Sequence, residues 1–281
     1  STFNQRILFT SGEKSGLDCE PPFCNPERRE SALRRAWRPN AYPKYLLGFF
    51  ALYWLAWAYR PIYFQNWVLE NSIAVLFIGL LVLTYRRFPL SNLSYTFICI
   101  FMCMHTIGAH YTYSLVPYDR WVENLTGASL NGLFGFARNH YDRLVHLSFG
   151  LLMAYPIREV FLRIAGVRGI WGYYLPLDLT MSFSMLYEVI EWAAAEVFGG
   201  ELGQAYLGMQ GDVWDAQKDM GLATLGAVVS MGLTALINWK LNRRFGKEIR
   251  ESLAVKQSEP LGEVKLGELL EKDSKKKHGG R

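Results

Sequence analysis

Long apolar runs alternate with short polar breaks through the middle of the chain, while both ends are polar throughout. Six runs are long enough to cross ~30 Å of hydrocarbon, which takes about 20 residues of helix. They fall at 43–60, 67–85, 92–114, 140–162, 169–194 and 213–239. Ile73 to Tyr85 and Gly221 to Trp239 carry no charge, where an amphipathic helix of a soluble bundle shows a polar stripe. The pattern predicts an all-α fold, a polytopic membrane helical bundle of six transmembrane helices. Three regions follow: a basic N-terminal tail at 1–42, the transmembrane domain at 43–240 and a partly disordered C-terminal tail at 241–281.

Composition changes this picture only in detail. The 281 residues are 51% hydrophobic and 15% aromatic, and the mean hydropathy of +0.04 is low because the polar ends dilute the middle. The formal net charge of +5 comes from clusters with one phase. Arg28, Arg29, Arg34, Arg35 and Arg38 precede the first run; Arg86 and Arg87 join the second and third. Arg158, Arg163 and Arg168 surround the join between the fourth and fifth, and Lys240, Arg243, Arg244, Lys247 and Arg250 follow the sixth. Basic residues collect on the cytoplasmic side of membrane proteins, so both termini are expected to be cytoplasmic. The charge is read as this bias and as contact with anionic lipid heads, not as nucleic-acid binding. The first 40 residues lack an apolar core, so insertion is expected to begin at the first membrane helix. Glu27 to Arg38 reads as a short basic surface helix anchored by Trp37.

The candidate chemistry is a set of ten ionisable residues inside or at the edge of the apolar runs. His105 and His110 lie near the end of the third run. His140, Asp142 and His146 open the fourth, Glu188 and Glu191 close the fifth, and Asp212, Asp215 and Asp219 open the sixth. A charge inside a bilayer costs on the order of several kcal/mol unless it is paired, hydrated or ligated. Because successive spans reverse direction, all four groups face the outer leaflet. Asp142 and His146 are four apart, Glu188 and Glu191 three apart, and Asp212, Asp215 and Asp219 follow at three and seven, so each set shares a helix stripe. Imidazoles with carboxylates on facing helices suit a divalent ion such as Zn, Mn or Fe. The ligand candidates are His105, His110, His140, Asp142, His146, Glu188, Asp212, Asp215 and Asp219. The alternative is a metal-free network in which Arg138, Arg143 and Lys218 neutralise the acids.

Other catalytic signatures are absent: there is no Walker-type phosphate loop, no GxSxG elbow and no HExxH. The leading expectation is therefore a metal-dependent membrane hydrolase or transferase acting on a lipid or lipid-phosphate head group. In that scheme Glu191 is the general base, and Arg143 or Lys218 holds an anionic group. The alternatives are an accessory or assembly subunit that binds other membrane-protein subunits, and a proton or ion transporter. Cys99 and Cys103 share a helix face as packing residues or, with His105 or His110, as metal ligands; Cys19 and Cys24 lie in the tail. The loop at 115–139 holds an apolar stretch that reads as a lid, a glycine-rich loop spans Gly199 to Gly211, and Lys272 to Arg281 reads as a disordered charge run.

Four strings carry a resemblance. They are His105-Thr-Ile-Gly-Ala-His110-Tyr-Thr-Tyr113, Arg138-Asn-His-Tyr-Asp-Arg-Leu-Val-His146, Tyr187-Glu-Val-Ile-Glu-Trp192 and Gln210-Gly-Asp-Val-Trp-Asp-Ala-Gln-Lys-Asp-Met220. Over roughly 43–240 the chain resembles the bacterial inner-membrane family typified by YjdF, which implies a multi-pass membrane protein and no particular activity. A fainter similarity runs to VanZ-like membrane proteins of the cell envelope. Their pattern would take Asp142 and His146, Glu188, then Asp215 and Asp219 before Gly221, and it implies lipid or lipid-linked substrates.

Overall fold

The computed structural model describes residues 41–200, 210–256 and 262–278. The basic segment 27–38, Cys19, Cys24 and most of the loop from Gly199 to Gly211 lie outside the described residues. All regular structure among the described residues is helical. Six long helices fall on the six apolar runs: α1 (Tyr42–Trp57), α2 (Phe64–Thr84), α3 (Asn92–Tyr111), α6 (Tyr141–Ile164), α7 (Trp171–Phe198) and α8 (Asp215–Leu241). Four of them, α2, α3, α6 and α8, are long and apolar enough to cross a membrane on length and composition. Helix α1 has 16 residues, and α7 carries Asp178, Glu188, Glu191 and Glu196. Only 17% of the most apolar stretch of α2 is buried in the protein, so lipid must cover the rest. The chain is a polytopic helical membrane protein.

The remaining helices are short or terminal. The loop expected to act as a lid forms α4 (Tyr118–Thr126) and α5 (Leu130–Phe134). Asp119 staples them: one carboxylate oxygen accepts from the Asn131 amide at 3.0 Å and the other from the Ser129 hydroxyl at 2.8 Å. The Asn131 amide, with Ser129 behind it, holds the Asp119 carboxyl below its ordinary value. After α8 come α9 (Phe245–Leu253) and α10 (Glu263–His278). Helix α10 runs into the charge run as far as His278, and the last residues of that run lie outside the described residues.

Helix α6 is the hub and packs against α8, α3 and α7. Its closest partner is α8, and the cause is small residues. A Cβ added to Gly150 would collide with the Ala223 carbonyl, and one added to Gly226 would collide with the Leu147 carbonyl. Ala154, Ala223 and Ala227 are fully buried along the same seam. Lipid tails are as apolar as leucine, so helices in a membrane associate through such close backbone packing.

The ends of α6 do different work. Near the basic end, Glu159 accepts the Ser91 amide at 2.8 and 2.9 Å and the Ser94 hydroxyl at 2.6 Å. A carboxylate there satisfies orphan donors at the start of α3 and meets the positive end of that helix. Arg163 pairs with Glu159, donates to the Pro89 carbonyl at 2.7 Å and lies over the Phe88 ring. Arg158 lies over the Tyr173 ring, 4.7 Å from its centroid. Helix α9 covers this end, with Ser252 accepting the Ile170 amide and the Trp171 indole N–H.

Candidate functional site

At the opposite end of the bundle, the starts of α2, α6 and α8 meet the ends of α3 and α7, and their polar residues form two layers. The upper layer is an ion-paired cap. Arg143 donates to Asp212 at 2.6 Å and to Asp215 at 3.2 Å, and Lys218 donates to Asp212 at 2.6 Å. Arg138 donates to Asp215 and lies 3.8 Å from Asp212. Lys218, and after it the Trp214 amide and Arg143, push the Asp212 carboxyl down to about 2. This is the neutralising network expected of Arg138, Arg143 and Lys218, and it engages Asp212 and Asp215. His140 sits at its edge, 3.3 Å from an Arg143 nitrogen, with its ring tilted against that of Phe136 at 4.1 Å between centroids.

The lower layer is rich in carboxylates. Asp142 and His146 lie on one stripe of α6, four residues apart, with the His146 Nε2 3.7 Å from an Asp142 oxygen. The same nitrogen is 3.4 Å from Glu188 on α7. Asp219, 2% exposed, enters from α8. One ligand atom from each of Asp142, His146 and Asp219 lies within 4.8 Å of the others, a spacing a single metal ion can bridge. Among the described residues this is the one group of three or more such side chains close enough to do so. In this layer Asp219 Oδ1 is buried without a hydrogen-bond partner, and Glu188 Oε1 makes no hydrogen bond beyond its 3.4 Å approach to His146 Nε2. Glu191, one turn further along α7, is within electrostatic reach of Asp142, Glu188 and Glu70.

Glu70 is the member that the sequence reasoning passed over. It sits on α2, 4% exposed, and accepts a 2.6 Å hydrogen bond from the Tyr187 hydroxyl. The rule that singled out the other acids also applies to it, since it is an ionisable side chain inside an apolar run. Asn66 and Asn71, buried on the same helix, are further signs of a polar face.

The two histidines of α3 part company. His105 is buried, and its Nδ1 is 2.5 Å from the Tyr113 hydroxyl. That contact needs the chain to double back after α3. Thr112 and Tyr113 adopt left-handed φ values of 56° and 51°, and the Tyr113 ring lies where a side chain on Gly108 would stand. His110 instead directs Nδ1 to the Trp57 carbonyl at 2.7 Å and packs edge-on against the Trp57 ring. It thus serves the end of α1, where a free helix carbonyl seeks a donor. Cys99 and Cys103 are half-buried free thiols on α3, outside the Asp142–His146–Asp219 group.

The comparisons with known proteins agree with this architecture. The family described as "Predicted membrane protein (DUF2238)" matches residues 42–240. The chain belongs to that family. Within it, the inner membrane protein YjdF of Escherichia coli (strain K12) is 36% identical over 182 residues, covering 64% of this chain and 83% of YjdF. No solved structure matches the chain. A DUF2238 protein with this relative and these apolar helices is a multi-pass protein of the bacterial inner membrane. The match takes in every residue of both polar layers.

Proposed function

We propose that the lower layer binds a divalent metal ion and that this DUF2238 protein uses it in hydrolysis or transfer at a lipid head group. The reading rests on the buried, unpartnered Asp219 Oδ1, which belongs to a three-residue ligand set. A buried acid without a partner is strongly disfavoured, and the cations Arg143 and Lys218 are already engaged by Asp212 and Asp215. A cation held by Asp142, His146 and Asp219, with Glu188 alongside, offsets that penalty. Zn, Mn or Fe suit a mixed imidazole and carboxylate set. A bound metal of this kind supplies a polarised water or a Lewis acid. In this reading Glu191 would accept a proton, and Arg143 or Lys218 would hold an anionic group on exchanging its Asp212 or Asp215 partner.

The layout also supports an orientation. Arg86, Arg87, Arg163, Arg168, Arg243 and Arg244 lie at the end of the helices opposite the acids, and basic residues mark the cytoplasmic side. In the six-span arrangement the metal site then faces outward and both described ends of the chain face the cytoplasm.

The test is elemental mass spectrometry on protein purified in mild detergent, beside the double variant Asp142→Asn/His146→Ala. Near-stoichiometric metal that disappears in the folded variant supports the reading. A metal-free wild-type protein would overturn it, and would mean that protons rather than a metal neutralise the acids.

A further inference from the structure

Below the carboxylate layer lies a cleft of about 430 Å³ between α2 and α7, floored by α3 and α6. Helix α2 packs against α3 and meets α7 at the Glu70–Tyr187 hydrogen bond. Beneath that bond the two helices leave a gap. Its walls are Ile73 and Phe77 of α2, Phe149 and Ile157 of α6, and Phe183 of α7. The wall changes character along its depth. Asp142, His146, His105, Tyr113 and Tyr187 line one end, while Leu80 and Ile157 line the other. Between Asp142 and Ile157 the α6 wall is about 22 Å long, at ~1.5 Å per residue. The volume is that of a ligand pocket rather than a packing defect.

We infer that this cleft holds one hydrocarbon chain of a membrane lipid whose polar head reaches the Asp142–His146 end. The inference builds on the metal-site reading and adds the substrate class and its path of entry. A cleft wholly apolar at one end and ionisable at the other matches an amphiphile. A helix of another subunit would have to bury the His105 and His146 edges against apolar surface. One further atom points to a ligand. Ser184, 2% exposed, lines the cleft one turn below Glu188, and its hydroxyl has no hydrogen-bond partner. Thr180, one turn deeper, instead satisfies its own hydroxyl on the Pro176 carbonyl at 2.7 Å. An unpaired donor at that depth suits the ester carbonyl that joins a lipid's head to its chain. The gap between α2 and α7 lets such a lipid slide in sideways from the bilayer.

The experiment reconstitutes the full chain in vesicles of phosphatidylethanolamine and phosphatidylglycerol, doped with phosphatidylglycerol carrying a diazirine on one acyl chain. Photolysis is followed by mass-spectrometric mapping. Labelling is expected at Phe77, Phe149 and Phe183 above the level at Leu76 and Leu83, which are exposed on the outside of α2. Filling the cleft with Ala74→Trp is expected to lower that labelling about tenfold, about 1.4 kcal/mol of lipid affinity, and to leave Leu76 and Leu83 labelled as before. Ser184→Leu serves as a second filling variant, and both are checked for a monodisperse, cooperatively melting protein. Cleft labelling no higher than at Leu76, or labelling unchanged in both folded variants, would each overturn the inference. Metal content is measured on the same samples. Cleft labelling without metal removes the metal reading and leaves the cleft; metal without cleft labelling does the reverse.

Discussion

Gly150 on α6 and Gly226 on α8 face each other so closely that neither position has room for a side chain. His146 lies one turn from Gly150, and Asp219 lies two turns from Gly226. The backbone contact therefore sets how near the imidazole and the carboxylate come. Replacing Gly226 by Val should cost at least the 1–3 kcal/mol typical of overpacking, with loss of bound metal. Gly221 and Gly232 are on the same helix with nothing near them, so alanine there should be neutral or stabilise by about 0.5–1 kcal/mol. Thermal melting in detergent reads both. Equal tolerance at Gly226 and Gly232 would show that the seam does not hold the site.

Removing a ligand should separate metal from fold. Asp219→Asn keeps the shape of a buried side chain and removes its charge, so the variant should fold while losing most of its metal. His140→Ala, at the edge of the cap, should keep its metal. Retention by Asp219→Asn and loss by His140→Ala would place the site in the wrong layer.

The cap should respond to acid in a defined window. Lys218 holds the Asp212 carboxyl at about 2, against an ordinary value of 3.8. A depressed carboxylate contributes stability that is complete above the ordinary value and fades as pH falls toward the folded one. Fluorescence from the exposed Trp214 should therefore be constant from neutral pH down to about 4 and change between about 4 and 2. Asp212→Asn should abolish that change. A transition centred near pH 6 would assign the cap's titration to some other group.

Tyr187 and Glu70 tie α7 to α2 across the mouth of the cleft. Tyr187→Phe leaves a buried carboxylate without its 2.6 Å donor and should cost about 1–3 kcal/mol. Glu70→Gln keeps an acceptor for the tyrosine and should cost less. If chemical denaturation ranks the two the other way, the hydrogen bond is not what closes the mouth.

The two faces of the membrane can be tested directly. In a background without Cys19 and Cys24, Asn124→Cys on α4 should react with an impermeant maleimide added outside intact cells, and Lys247→Cys on α9 should react only after lysis. The reverse pattern would invert the orientation and put the acids on the cytoplasmic side.

Much of this architecture was legible in the sequence, because a bilayer forces each apolar run to satisfy its backbone within one helix. Alternating direction then placed His105, Asp142, Glu188 and Asp219 at one end without any knowledge of contacts. The layering was not legible. Asp212, Asp215 and Asp219 share one stripe, yet two are bound by the cap and one is not. That depends on how far Arg138, before α6, and Arg143, in its first turn, reach. His105 and His110 are five residues apart and so face different neighbours on α3: the left-handed turn at Thr112 and Tyr113 brings a hydroxyl to His105, while His110 meets the end of α1. Glu70 was missed because its run was read for length and charge-free stretch, which begins after it.

On the metal reading proposed above, the ion-paired cap would have a kinetic consequence. A divalent ion arriving from outside would first meet the positive charges of Arg138, Arg143 and Lys218, and only then the acids that attract it. Loading would be slow and, by the same barrier, so would escape. Such a protein would keep its ion through dilution and brief exposure to chelators, and exchange it when Asp212 and Asp215 release their partners.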